Sequence, residues 1–169
     1  YGIMLHATDT PVRLGENFDS EGCVVCDDSE LAEMAPHIRL GLTPILIFDK
    51  LTDEYRKPGK DPSIRSFFET WIKTWEARDL EGYIDHYHSD FEAQNKDRDA
   101  WKAYKGQLNK RYIDISIGPE DVLYYKHPKY WMITFTQNYR SKVKGGGWGH
   151  RSRGTKILYI AEEAGKPKI

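Results

Sequence analysis

The sequence predicts a mixed architecture: a short segment of strand, loop and helix, then an α+β unit of three helices followed by a curved antiparallel sheet. Three observations carry this. Ile64, Phe67, Phe68, Trp71, Ile72 and Trp75 recur at helical spacing. Later runs alternate apolar and polar residues: Trp131, Ile133 and Phe135 interleave with Met132, Thr134 and Thr136, the pattern of a half-buried strand. Between the two segments, residues 51–62 are polar and hold Pro58 and Pro62, as a linker does. The expected division is 1–50, a linker at 51–62, and 63–169.

Taken in order, the first residues read as a strand, followed by a long loop. A short helix is expected at 29–34, capped by Asp28 or Ser29, with Leu31 and Met34 on its apolar side and Pro36 discouraging continuation. Thr43-Pro44-Ile45-Leu46-Ile47-Phe48 suits a buried strand. Asp61-Pro62 starts the long helix, because proline fits a first turn whose N–H groups lack partners anyway. Asp79 caps a second helix through Leu80, Tyr83, Ile84 and Tyr87 to about Phe91. Asp97 or Asp99 opens a third, with Trp101, Tyr104 and Leu108 on one side. Strands are expected at 113–117, 122–125, 130–139 and 155–160, with Gly145-Gly146-Gly147-Trp148-Gly149 as a long, flexible hairpin tip.

The chain has 169 residues, 39% hydrophobic and 30% charged, which suits a folded globular protein rather than disorder. No apolar run approaches the roughly 18–20 residues that cross a bilayer. Because the chain does not begin with Met and its first residues read as a strand entered partway along, it is read as a fragment of a longer protein. The net charge of -1 hides an asymmetry. Up to Pro36 acids face only Arg13, while 122–160 holds Lys126, Arg140, Lys142, Arg151, Arg153 and Lys156 and no acid. That stretch is either a solvated sheet face or a surface for an anionic partner. No nucleic-acid partner is expected.

Cys23 and Cys26 are the two cysteines. A redox C-x-x-C pair normally opens a helix directly after a strand, and here a long polar loop precedes it. A zinc site needs about four ligands, and no second pair accompanies this one. No metal and no cofactor is expected. Nucleophilic catalysis is the third reading: a thiol needs a neighbouring base, and His6 supplies one if the loop folds back. Gly22 lets the backbone approach a substrate and aim N–H groups at an oxyanion. Spacing alone leaves a nucleophile and two structural cysteines both open.

His6, then Ser20-x-Gly22-Cys23, resembles the L,D-transpeptidase (YkuD-type) signature. The similarity continues through Val24, the helix at 29–34 and Gly41-x-Thr43-Pro44-Ile45-x-Ile47. It covers about residues 2–48, and implies the C-terminal part of a mostly-β catalytic domain. Cys23 would attack a carbonyl of a peptidoglycan stem peptide, His6 would activate it, and Gly22, Ser20 and Glu21 would border the substrate or oxyanion. The resemblance also implies the periplasm. Ala7 stands where the family has Gly, Glu21 where it has a second His, and Val25 where an Arg commonly follows Gly-Cys. Loss of that carboxylate anchor weighs against ordinary transpeptidation. Glu21 would hold the His6 imidazolium, meet a substrate amine, or simply be solvated. Cys26 is read as structural, although a disulfide to Cys23 would switch the nucleophile off.

From residue 63 the chain resembles an NTF2-like domain, a cone of three helices on a curved antiparallel sheet. Together the two resemblances are similar to the epsilonproteobacterial cell-shape L,D-carboxypeptidases, which implies removal of terminal D-Ala from stem tetrapeptides, with the fragment inactive alone. The alternatives are an L,D-transpeptidase and, in another class, an NTF2-like module that binds glycan or a partner. Trp71, Trp75, Tyr83 and Tyr87 are either core or a sugar-stacking wall. Trp148, Arg151 and Arg153 are expected glycan contacts. Asp85, His86, His88 and Asp90 are read as an exposed charged face rather than an acid–base set.

Overall fold

The computed structural model describes residues 4–15, 22–41, 43–56 and 59–169, so residues 1–3 of the expected first strand and Lys57-Pro58 of the expected linker lie outside it. The chain divides into two compact units, 1–45 and 46–169.

In the first unit β1 (Leu5–Ala7) pairs in parallel with β2 (Val24–Cys26), His6 lying opposite Val25. Helix α1 (Asp28–Met34) follows at once. Its cap is Asp27, not Asp28 or Ser29, because β2 ends at Cys26 and leaves Asp27 as the last extended residue. The Asp27 carboxylate accepts from Ser29 N at 2.8 Å, and Glu30 accepts from Asp27 N at 3.1 Å, closing a capping box. The expected strand at 43–48 does not form. Strand pairing needs a neighbouring backbone, and none among the described residues runs beside it. Ile45 and Ile47 are exposed instead.

The second unit opens with a stretch that is packed rather than loose. Phe48 stacks on Tyr55 at 5.1 Å and meets His127 at the same distance. Glu54 pairs with Lys126. Gly59 N donates to Tyr124 O at 2.6 Å, and a Cβ on Gly59 would fall 2.1 Å from the Trp131 ring, so only glycine fits. Helix α2 (Pro62–Glu76), capped by Asp61 at 2.8 Å from Ser63 N, buries Ile64, Phe68, Trp71 and Ile72 along one stripe. Helix α3 (Leu80–Asp85), capped by Asp79, stops well before Phe91. Side chains take the carbonyls at and just past its end: Arg98 donates to Ile84 O and Tyr87 O at 3.2 and 3.1 Å, and Lys168 to Asp85 O. A small hairpin then forms from β3 (Glu92–Ala93) and β4 (Lys96–Asp97). Gln94 and Asn95 turn it with φ of 53° and 56°, the left-handed pair that a two-residue turn requires. Asp97 caps α4 (Arg98–Arg111).

The sheet is an antiparallel meander of β5 (Tyr112–His127), β6 (Tyr130–Val143), β7 (Trp148–Glu163) and β8 (Lys166–Lys168). The two runs expected at 113–117 and 122–125 are one strand. An extra residue between Glu120 and Leu123, with Asp121 at φ 52°, forms a bulge, so the helix-facing positions run Ile115, Ile117, then Tyr124. Strand β6 is buried on both faces from Met132 to Phe135, not on one. Tyr125 and Tyr159 flank Met132 in register on the outer face and cover it. The glycine tip is a four-residue turn at 144–147, with Trp148 already in β7. One aromatic-rich core joins helices and sheet; Phe68 meets Phe135 edge-on at 5.0 Å.

Candidate functional site

Two places bring chemistry together, one in each unit. In the first, Val24 N donates to Met4 O at 2.9 Å, the bond that sets Leu5 opposite Val24 at the start of the β1–β2 ladder, and Cys23 immediately precedes β2. His6 stands opposite Val25, two residues after Cys23, so the parallel pairing brings the strand that carries the imidazole beside the segment that carries the thiol. His6 is exposed and Cys23 half-buried. The His6 Nδ1 lies 2.8 Å from Ala7 O. A carbonyl only accepts, so Nδ1 carries the hydrogen and the neutral ring keeps its lone pair on Nε2, the tautomer of a base.

Gly22, immediately before Cys23, has φ 101° with open space where a Cβ would stand. Backbone conformation, not crowding, demands glycine there. Cys26 is buried, and its Sγ donates to His6 O at 3.6 Å, bracing the strand that holds the imidazole. Burial, then the carboxylates of Glu30, Asp27 and Asp28, raise its thiol pKa, so Cys26 is a poor nucleophile. No disulfide joins the two cysteines. Ser20 and Glu21 lie outside the described residues.

The second place is a cavity of about 460 Å³ between helices and sheet. Trp71, Trp75, Tyr83 and Tyr87 belong to the core and also wall this cavity. Trp71 Nε1 donates to Tyr87 OH at 3.1 Å, and Tyr87 OH to Tyr83 OH. Burial raises both tyrosine pKa values, so they stay protonated. The Gln137 side chain is buried, and its Oε1 accepts from nothing among the described residues. Lys105 comes from α4, buried under Trp75 and Trp101 at 4.0 and 4.7 Å, and Lys156 comes from β7. Burial, then the Lys156 charge, lower the Lys105 pKa to about 7. A smaller recess of about 220 Å³ shares Lys105, Gln137 and Lys156 with the cavity.

Sequence reasoning missed Lys105 and Gln137. The signal was present: Lys105 falls four residues after Trp101 and three before Leu108, a charge inside an apolar stripe.

The expected glycan contacts lie elsewhere. Arg151 is opposite Arg140 and Arg153 opposite Asn138, on the face of β7 turned away from Lys156. Trp148 lies under the Arg140 guanidinium at 5.1 Å, and Arg153 pairs with Glu120 at 3.1 Å. Of Asp85, His86, His88 and Asp90, the two aspartates are exposed as expected and the two histidines are half-buried. Asp85 pairs with Lys168 at 3.2 Å, and His88 lies 3.8 Å from Glu163. His86 is half-buried, with a pKa lowered chiefly by burial, and His88 and Asp90 border the cavity. Among the described residues no cluster of three or more His, Cys, Asp or Glu is placed to hold a metal, and no helix is long and apolar enough to cross a membrane.

Residues 63–169 match the model of the Cds6 C-terminal NTF2-like domain. The chain belongs to that family. The aromatic cavity is therefore the cavity of an NTF2-like domain. Bd1075 of Bdellovibrio bacteriovorus is similar over 98% of this chain and 58% of its own, with 27% identity and a TM-score of 0.70. The helical cell shape determining protein Pgp2 of Campylobacter jejuni is similar over 97% of this chain and 58% of its own, with 22% identity and a TM-score of 0.62. Aln2 of a Streptomyces species is similar over 64% of this chain and 87% of its own, with 8% identity and a TM-score of 0.53. The last two likenesses are of fold. The chain spans 58% of the length of Bd1075 and of Pgp2. No curated protein matches it.

Proposed function

We propose that the chain is the C-terminal part of a periplasmic cysteine L,D-carboxypeptidase that acts on cell shape by removing terminal D-Ala from peptidoglycan stem tetrapeptides. The observation that carries this reading is the parallel pairing of β1 with β2, which sets His6 opposite Val25 two residues after Cys23, with the His6 tautomer leaving Nε2 as the base. His6 takes the thiol proton, Cys23 attacks the carbonyl, and backbone N–H groups beside Gly22 meet the oxyanion. D-Ala leaves as the amine, and water resolves the thioester. The exposure of Leu40, Ile45 and Ile47 fits a segment that belongs to a larger domain. The similarity of Bd1075 and Pgp2 along nearly the whole chain also supports the reading.

The longer protein is incubated with disaccharide tetrapeptide and its products are weighed by mass spectrometry. Tripeptide with free D-Ala supports hydrolysis, and cross-linked dimers would make it a transpeptidase. Tripeptide that persists in Cys23→Ala would remove Cys23 from the chemistry.

A second reading is favoured by the cavity: the NTF2-like domain holds glycan. Its aromatic walls offer stacking faces, and Gln137 Oε1 awaits a hydroxyl donor. Soluble glycan strands should weaken the binding of intact sacculi. Binding that is unchanged in Gln137→Leu and Trp75→Ala would place the contact outside the cavity.

A further inference from the structure

Lys105 takes no part in the thiol chemistry and is not among the residues named for glycan, although it borders the same cavity as Trp75 and Gln137. The residue is 7% exposed, yet it borders a cavity large enough for a small ligand. Nζ faces Trp75 of α2 at 4.0 Å, Trp101 of its own helix at 4.7 Å and Tyr83 of α3 at 5.3 Å. Among the described residues it makes no hydrogen bond and no ion pair. The sheet contributes uncharged Gln137 from β6 and the Lys156 cation from β7. Tyr83 and Tyr87 stay neutral, and of the charged groups on the cavity wall only Lys156 perturbs Lys105.

Three ring faces favour the ammonium. Lost hydration and the Lys156 charge oppose it, and the balance leaves the amine at about 7. About half the molecules at pH 7 then carry a free lone pair on Nζ, against about one in a few thousand for an ordinary lysine. A desolvated lysine beside a second cation is the usual arrangement of an amine nucleophile.

We propose that Lys105 is such a nucleophile, and that the cavity takes a small aldehyde or ketone with an apolar flank and holds it as a Schiff base on Nζ. The Nζ lone pair forms the C–N bond while the carbonyl π pair moves to oxygen. That oxygen takes one proton from nitrogen and one from solvent and leaves as water. The C=N bond forms as it departs, with no oxidant or reductant. The iminium keeps its positive charge where the three rings already hold the ammonium.

The chain is incubated with butanal and sodium cyanoborohydride across pH 6–10, and labelled lysines are located by peptide mass mapping. Lys105 should label at least about ten-fold faster at pH 7 than the median lysine, its rate rising through pH 7 and levelling while the others climb toward pH 10. In Lys156→Met the rise should move to higher pH, because the opposing charge is gone. Lys105→Arg should lose the fast site while keeping the melting temperature. Labelling of Lys105 no faster than the rest, or with their pH course, would overturn the proposal, as would a rise unmoved in Lys156→Met.

Discussion

The two units hold their functional groups by different means. Among the described residues, the first buries one apolar side chain, Cys26, while 46–169 buries a continuous aromatic and aliphatic core. His6 and Cys23 are placed by backbone pairing, a glycine at positive φ and a capping box. Lys105 and Gln137 are placed by rings packed around them. Substitutions in the first unit should therefore register in chemistry, and those in the second in folding.

The sharpest break of that contrast is His6→Ala. Tripeptide release by the longer protein should fall by about a thousand-fold or more, while unfolding shifts by no more than about 0.5 kcal/mol, the usual range for an exposed site. A large loss of stability would show that His6 also holds the unit together. Next comes Phe135→Ala, which empties a fully buried position and should cost about 3–5 kcal/mol in chemical unfolding. A cost below about 1 kcal/mol would show a core that collapses around the gap.

Lys105→Met should stabilise at pH 7 by about 1–3 kcal/mol. In the native chain the folded state prefers the neutral amine, with a pKa of about 7, while the unfolded chain stays protonated up to the ordinary lysine value of 10.5. Between those values the unfolded state binds more protons, so the stability of the native chain rises with pH. The advantage of Lys105→Met should accordingly shrink toward pH 10, as read from melts at pH 7, 8.5 and 10. A constant difference would mean that Lys105 is not desolvated. Smallest is Asp27→Ala, which removes the cap of α1 and should lower stability slightly, as read from the same melts. The native cap also weakens as acid protonates Asp27, whose pKa hydrogen bonds from Ser29 lower, so its contribution is lost as pH falls through that lowered value.

What was legible in the sequence divides along the same line. The α2 stripe announced itself, because six large apolar residues at helical spacing leave no other amphipathic solution. The Asp61 and Asp79 caps were legible because a carboxylate before a periodic run does one local job, while the third helix left Asp97 and Asp99 both open until the structure chose Asp97. The 43–48 run misled, since apolar β-branched residues describe a strand only when a neighbour supplies hydrogen bonds, and pairing is not local. The β3–β4 hairpin was hidden because its strands are two residues long and its Gln94-Asn95 turn has no glycine. The placement of His6 near Cys23 rests on parallel pairing across a loop, which spacing could pose only as a condition. Lys105 was visible as a charge in an apolar stripe, but which rings would enclose it depended on three separate elements.

The extra residue near Asp121 has a bearing on how the sheet tolerates change in length. Because β6 runs uninterrupted opposite it, a homologue lacking one residue between Gly118 and Leu123 would still turn Ile117 and Tyr124 toward the helices, and would lose only the local bend. The same single-residue gap within β6 would turn every side chain beyond it to the opposite face. A one-position gap in an alignment is therefore silent at this bulge and ruinous in the neighbouring strand.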